Sequence, residues 1–375
     1  MSDYSVPGTK IDIQSLPKVS LHDHLDGGLR PGTILELAET AGAAMPEDPA
    51  TGAPIDQAER LGQWFADQSD SGSLVEYLKT FDVTLSVMQT EDGLQRIAKE
   101  FVEDLIDDGV IYGEIRWAPE QHLQNGLSLD GAVEAVQAGL NEAVAAAVKN
   151  GDHIQVGQII SAMRQNNRSM DIANLALRHR EKGAVGFDIA GPEAGFPPSR
   201  FMEAFTLLAN EMFPVTIHAG EADGIESIRG ALVDGHALRL GHGVRIAEEI
   251  AVLGSENADL AGLGPVARWV LERGIPLEVS PSSNLQTGAI AAWGSEIGDH
   301  PFDALYKLGF AVTVNTDNRL MSSTTLTKEL FMLSNQWGYG MSELLEFQLN
   351  AASASFARWD DKEALVDRLV NAYAL

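Results

Sequence analysis

Residues 19–28 read VSLHDHLDGG: two histidines two positions apart, then an aspartate, then a glycine pair. Alternate side chains of a β-strand share a face, so His22 and His24 point the same way if this stretch is extended. Paired imidazoles on one face are a metal-binding geometry, or else two strand histidines with ordinary hydrogen-bond partners. The stretch is also the first of a series. Apolar, β-branched runs recur as KVSLHDH (18–24), GVIYGEIRWAP (109–119), IQVGQIISAMR (154–164), AVGFDIAG (184–191), FPVTIHAGE (213–221), LRLGHGV (238–244), IPLEVSPSS (275–283) and FAVTVNTDN (310–318). Several are almost continuously apolar, as strands buried on both faces are. Helical patterns lie between them. GLQRIAKEFVEDLIDDG (93–109) carries an apolar stripe at three- and four-residue spacing, and the Ala-rich SLDGAVEAVQAGLNEAVAAAVKNG (128–151) ends in a C-capping Gly151. Eight strands alternating with helices predict an α/β chain whose parallel sheet closes as a (β/α)8 TIM barrel. An open doubly wound sheet is the competing arrangement.

Two regions exceed the minimal barrel. Residues 29–108 are far longer than one crossover helix needs, so extra helices are expected over the barrel mouth. The segment after residue 340 reads as two closing helices on the barrel exterior. Residues 1–375 together read as a single domain with that inserted helical region.

Composition narrows the chemistry. With 26 basic against 54 acidic residues the formal net charge is -28, which opposes binding to nucleic acid and to anionic membranes. The same field disfavours a polyanionic substrate and is read chiefly as a solvated, repulsive coat. There is no apolar run of about 18 residues, hence no expected membrane span. The start MSDYSVPGTKIDIQ lacks a basic, then apolar, signal segment, so a cytoplasmic location is expected. Cysteine is absent, so any metal must be held by histidine and carboxylate.

Titratable residues fall at the ends of the predicted strands. His22 and His24 end the first run, His218 the fifth, His242 the sixth and Asp317 the eighth; Glu221 follows His218 in HAGE. In a closed barrel these ends converge on one rim, where the catalytic groups of such barrels sit. His22, His24, His218 and Asp317 form a nitrogen and oxygen ligand set that suits zinc, with iron, cobalt or manganese as alternatives. The fourth run offers Asp188 but no lysine, so a single metal is the simpler reading. His242 then stands unligated beside a metal-activated water, either to accept its proton or to orient it and stabilise hydroxide. Glu221, at the third position after His218, returns to the rim only if the chain leaves strand geometry, which Gly220 permits. A carboxyl kept protonated there can donate to a ring nitrogen; the alternative is a carboxylate at a helix N-terminus. The other histidines, His122, His153, His179, His236 and His300, read as structural or surface residues.

Taken together, LHDHLDGGL (21–29), VGFDIAGPE (185–193), TIHAGEADGIESIRGAL (216–232), RLGHGVRI (239–246), EVSPSSNLQTGA (278–289) and VTVNTDNRLM (312–321) resemble the adenosine deaminase family, in family order and through nearly the whole chain. Each motif alone is weak; the combination is specific. The resemblance implies one zinc per chain at the C-terminal rim, held by His22, His24, His218 and Asp317. It implies Glu221 as proton donor to purine N1 and His242 as the residue that activates or stabilises the attacking water. It further implies that Asp26 holds the ribose hydroxyls, that Gly191 offers a backbone donor to purine N3, and that His24 adjoins the substrate. YLKTFD (77–82) resembles an entrance helix, which makes Leu78 and Phe81 candidate gate residues. The implied reaction is hydrolytic deamination of adenosine and deoxyadenosine to inosine and deoxyinosine in purine salvage, with a purine nucleoside as the small-molecule partner. Deamination of adenine or a modified adenosine is the alternative.

One position departs from the family pattern. A second aspartate commonly follows the ligand aspartate, then a proline; this chain has Asn318 and Arg319. Purine N7 is an acceptor, so an asparagine amide can donate to it. Arg319 is expected to add positive charge near the mouth, which would keep phosphorylated or carboxylated substrates in play.

Overall fold

The computed structural model describes residues 4–251 and 262–374. Eight strands appear where the eight runs lie: β1 Lys18–His24, β2 Val110–Trp117, β3 Gln155–Met163, β4 Ala184–Ala190, β5 Thr216–Ala219, β6 Arg239–His242, β7 Leu277–Val279 and β8 Val312–Val314. All pair in parallel, as two four-stranded sheets in the orders β1-β2-β3-β4 and β5-β6-β7-β8.

The two sheets meet at both seams through single parallel bridges, Phe187 with Val215 and Asp23 with Asp317. Side chains complete the hydrogen bonding where the ladder stops. At the β8/β1 seam, the amides of Leu21 and His22 both donate to Asn315 Oδ1, at 3.2 and 3.1 Å, and the Val19 amide donates to Gln348 Oε1 at 2.7 Å. At the β4/β5 seam, the Phe187 amide donates to Pro214 O at 3.0 Å. Buried backbone donors need partners, and these bonds, from side chains at one seam and backbone at the other, join the two sheets in the arrangement of a (β/α)8 barrel.

Every residue of β2 is buried, as is expected of a parallel strand covered on both faces. The helix Glu91–Asp107 buries its predicted stripe, from Leu94 to Leu105, and serves as the crossover into β2. Gly151 caps the helix Leu129–Asn150 in the left-handed conformation, as its sequence predicts. Within the long region after β1, the segment from Leu74 to Val87 lies over the barrel mouth. The helix Met341–Ala354 packs on β1 and β8 and supplies Gln348 to the seam, and Trp359–Tyr373 packs against it. Among the described residues no helix is long and apolar enough to cross a membrane.

The barrel interior beneath the rim is charged, which the apolar runs did not suggest. Arg116 and Arg239 are buried on β2 and β6, and both ion-pair with the equally buried Glu278 of β7. Arg239 also pairs with Glu114 and Arg116 with Asp188. A buried ion network of this kind is weak evidence for net stability. Its evident use is positional, because Glu278 and Asp188 reach two of the rim histidines.

Candidate active site

The strand ends carry out the convergence that the sequence implies. One ligand atom from each of His22, His24, His218 and Asp317 lies within 4.8 Å of the others. His24 Nε2 stands 3.1 Å from His218 Nε2, and Asp317 Oδ1 is 3.2 and 3.3 Å from Nε2 of His22 and His24. The carboxylates below set the ring orientations. His22 Nδ1 donates to Glu278 Oε2 at 3.1 Å, and His218 Nδ1 lies 2.7 Å from Asp188 Oδ2. With a carboxylate beside each Nδ1, each ring turns Nε2 toward the shared space, the arrangement that outer carboxylates impose on metal-binding histidines. The buried His22 Nε2 makes no hydrogen bond within the protein. Ser283 Oγ donates to Asp317 Oδ2 at 2.6 Å and leaves Oδ1 facing the histidines. These donors fit a divalent cation of borderline softness.

The electrostatics agree with ligands that are ready for use. Burial lowers the His218 pKa to about 4 despite Asp188 beside it, so the ring is neutral. Burial opposes ionisation of Asp317, but the close approach of the His22 and His24 imidazoles outweighs it and holds the carboxyl well below its usual range. His242 and Asp317 both have φ of 59°, in the left-handed region that non-glycine residues seldom occupy. Such strain gathers at functional sites, and here it aims both side chains across the rim.

Glu221 and His242 adjoin the cluster, with Glu221 Oε2 3.5 Å from His242 Nε2. Glu221 returns to the rim through a turn at Gly220, whose φ is 76°. Glu193 clamps that turn. Its carboxylate accepts the amides of Gly220, Glu221, Ala222 and Asp223 at 2.7, 3.0, 2.6 and 3.0 Å, and the Ser227 hydroxyl at 2.5 Å. Burial, with the nearby Asp317 and Glu193 carboxylates, raises the Glu221 pKa well above its usual value. The shift is in the direction that favours the protonated, donating form.

Above the cluster lies a cavity of about 200 Å³, lined by His24, Asp26, Gly191, His218, Glu221, His242, Asp317 and Asn318. His22 lies beneath it, fully buried. Leu78 and Phe81 form part of its apolar wall with Leu74, Tyr77 and Leu85, while Trp117 and Met163 line it from β2 and β3. Asn318 is seated directly on Gly27: a Cβ at Gly27 would come within 2.0 Å of Asn318 Oδ1. The Asp26 carboxyl is buried, and its Oδ1 has no hydrogen-bond partner.

Arg319 corrects one sequence expectation. Its guanidinium pairs with Asp23 at 2.9 Å, lies near Asp104 and stacks on Phe101. It lines a separate, more open hollow of about 520 Å³ rather than the mouth. Backbone direction explains this: Asn318 and Arg319 are adjacent, and once Asn318 faces the cavity its neighbour is turned outward to Asp23 of β1 and Asp104 of the helix Glu91–Asp107. The lining of the site cavity contains no lysine or arginine.

Sequence reading missed the supporting residues. Glu193, Glu278, Ser283 and Asn284 all lie inside the quoted motifs, yet their partners are distant in the chain and only the fold brings them together. Asp188, considered only as a possible metal bridge, holds His218 instead. Asp188→Asn keeps an acceptor but removes the charge. Its expected effect is about a 10-fold loss of metal affinity, at the low end for outer-sphere changes, measured by competition with a chelator of known affinity.

A rim of three histidines and one aspartate, with an acid and a further histidine beside it, places the chain in the class of metal-dependent barrel hydrolases. Comparison with known proteins specifies the group. The adenosine deaminase family model matches residues 17–372. An adenosine deaminase of Mycolicibacterium vanbaalenii is 48% identical over 98% of this chain and 97% of its own. Adenosine deaminase 1 of Streptomyces coelicolor is 49% identical over 96% of this chain and 87% of its own. The crystal structure of an adenine deaminase from Arthrobacter aurescens superposes with a TM-score of 0.80 at 23% identity, covering 96% of this chain and 100% of that one, a likeness of fold. The chain belongs to the adenosine deaminase family.

Proposed function

We propose that the protein is a zinc-dependent deaminase that converts adenosine and deoxyadenosine to inosine and deoxyinosine with release of ammonia. The observation that carries this reading is the juxtaposition of the four-donor cluster, Glu221 with its raised pKa and His242 at the base of one cavity free of lysine and arginine. His22, His24, His218 and Asp317 hold the ion; when bound it supplies a Lewis-acid centre that acidifies water. Glu221 protonates purine N1, which makes C6 electrophilic. His242 orients the attacking water. Oxygen adds to C6, the C6–amino bond breaks, and the two water protons end on N1 and on the departing ammonia. The rim grips the tetrahedral species better than the flat purine, which is the source of rate.

The cavity wall supports a neutral nucleoside. Asp26 is placed to accept ribose hydroxyls, Gly191 offers its amide to N3 and Asn318 its side-chain amide to N7. Free adenine would leave Asp26 without a partner. A nucleotide would bring phosphate to a wall that carries Asp26 and Asp82 and no lysine or arginine to receive it. A panel of adenosine, deoxyadenosine, adenine and AMP tests the assignment by ammonia release. Adenosine and deoxyadenosine are expected to exceed the other two in kcat/KM by at least about 100-fold, the loss expected when a buried polar group goes unpaired. A preference for adenine or AMP would overturn the substrate while leaving the chemistry.

A further inference from the structure

A chain of buried polar groups runs from His242 away from the cavity. His242 Nδ1 lies 3.0 Å from Asn284 Nδ2, and Asn284 Oδ1 lies 3.3 Å from His300 Nε2. His300 Nδ1 in turn lies 3.0 Å from the amide nitrogen of Phe302. All three side chains are buried, at 1, 0 and 3% exposure. None of these contacts has a role in the reaction as described so far.

The direction of every hydrogen bond in this chain follows from its far end. Phe302 opens the helix Phe302–Lys307, so its N–H is one of the donors that a helix leaves unpaired. A backbone N–H can only donate, so His300 Nδ1 must accept. Burial lowers the His300 pKa to about 3, which keeps the ring uncharged with its one hydrogen on Nε2. That hydrogen goes to Asn284 Oδ1. The Asn284 amide is thereby oriented with its NH2 toward His242, whose Nδ1 must accept. The reverse orientation would set two donors or two acceptors face to face.

We propose that Asn284 and His300 are positioning residues that hold His242 in the tautomer bearing its hydrogen on Nε2, the nitrogen that faces Glu221. The proposal rests on the reading of His242 as the residue beside the attacking water. It decides between the two tasks left open for that residue. A ring with hydrogen already on Nε2 cannot take a proton from water through that atom. It donates a hydrogen bond to the water oxygen and stabilises the negative charge that develops there. Proton transfer then falls to Glu221. Glu221 Oε2 faces the His242 N–H, and Oε1 is buried without a hydrogen-bond partner, available to the substrate.

The test combines a spectroscopic and a kinetic readout on the metal-loaded enzyme. Histidine ring nitrogens labelled with 15N report the tautomer of His242 with no substrate present, the signal being identified by its absence in His242→Asn. Nε2–H is expected, and Nδ1–H overturns the proposal whatever the substrate proves to be. Asn284→Asp presents only acceptors to Nδ1 and is expected to move the hydrogen there. The expected kinetic result is a fall in kcat of about 100-fold or more with KM changed less than about 3-fold, since a wrong histidine tautomer costs about 10⁴-fold in a serine-protease triad. A kcat within about 2-fold of the unmodified enzyme overturns the proposal. His300→Gln keeps a donor toward Asn284 and is expected to retain the tautomer and most of kcat, whereas His300→Leu loses both. If Asn284→Asp does not fold, the spectrum of the unmodified enzyme and the His300 pair decide. Failure of the deaminase reading itself appears separately, as an unmodified enzyme that does not act on adenosine.

Discussion

Glu221→Gln is expected to bind adenosine with nearly unchanged affinity while kcat falls by roughly 10²–10⁴-fold, the usual contribution of a positioned general acid. Glutamine fills the same space and can still donate a hydrogen bond to N1, so ground-state binding persists. It cannot give up a proton. The clamp that Glu193 places on residues 220–223 acts on backbone amides and is untouched by the change, so the turn should keep its shape. Separate measurement of kcat and of binding by a non-reacting nucleoside checks this. Turnover near that of the unmodified enzyme would remove Glu221 from proton transfer.

Asp317→Ala is expected to give the other large loss. Asp317 is the anionic member of the four-donor cluster, and its Oδ1 lies 3.2 and 3.3 Å from two of the three Nε2 atoms. Its removal leaves three imidazoles, a strained backbone position without the carboxylate that uses it, and a Ser283 hydroxyl without its acceptor. Loss of a Lewis acid forfeits several kcal/mol of transition-state stabilisation, about 10³-fold or more in rate. Metal analysis after dialysis should find the ion gone, and circular dichroism should find the barrel intact, because Asp317 bridges the β8/β1 seam through its backbone, which the substitution leaves in place. Retention of metal together with activity would show that Asp317 is not a ligand.

The sequence conveyed the barrel well because its strands are buried on both faces, and continuous apolar runs mark such strands without help from tertiary context. The β5 run illustrates this: FPVTIHAGE carries strand, ligand, turn glycine and acid in nine consecutive letters. The convergence of His22, His24, His218 and Asp317 was readable for the same reason, since this topology brings the strand ends to one rim. What escaped notice depends on direction and distance. Nothing in the local pattern around Glu278 says that a charged side chain points into the barrel at His22 Nδ1. The HPF triplet at 300–302 reveals its hydrogen-bond direction only once Asn284 is folded against it. Arg319 was misplaced because charge was assigned to the mouth by proximity in sequence to Asn318, whereas successive residues face opposite ways and Asp23 and Asp104 wait on the other side.

A zinc titration of the metal-free enzyme tests directly whether one metal at one rim does one reaction. Zinc is added in steps to chelated protein, and the rate of inosine formation from adenosine is read at each step. The rate should rise linearly and break at about one ion per chain, the stoichiometry of one three-histidine, one-aspartate site, with ammonia released in equal amount to inosine. A break at two ions, or inosine formation that persists undiminished in the metal-free protein, would contradict it.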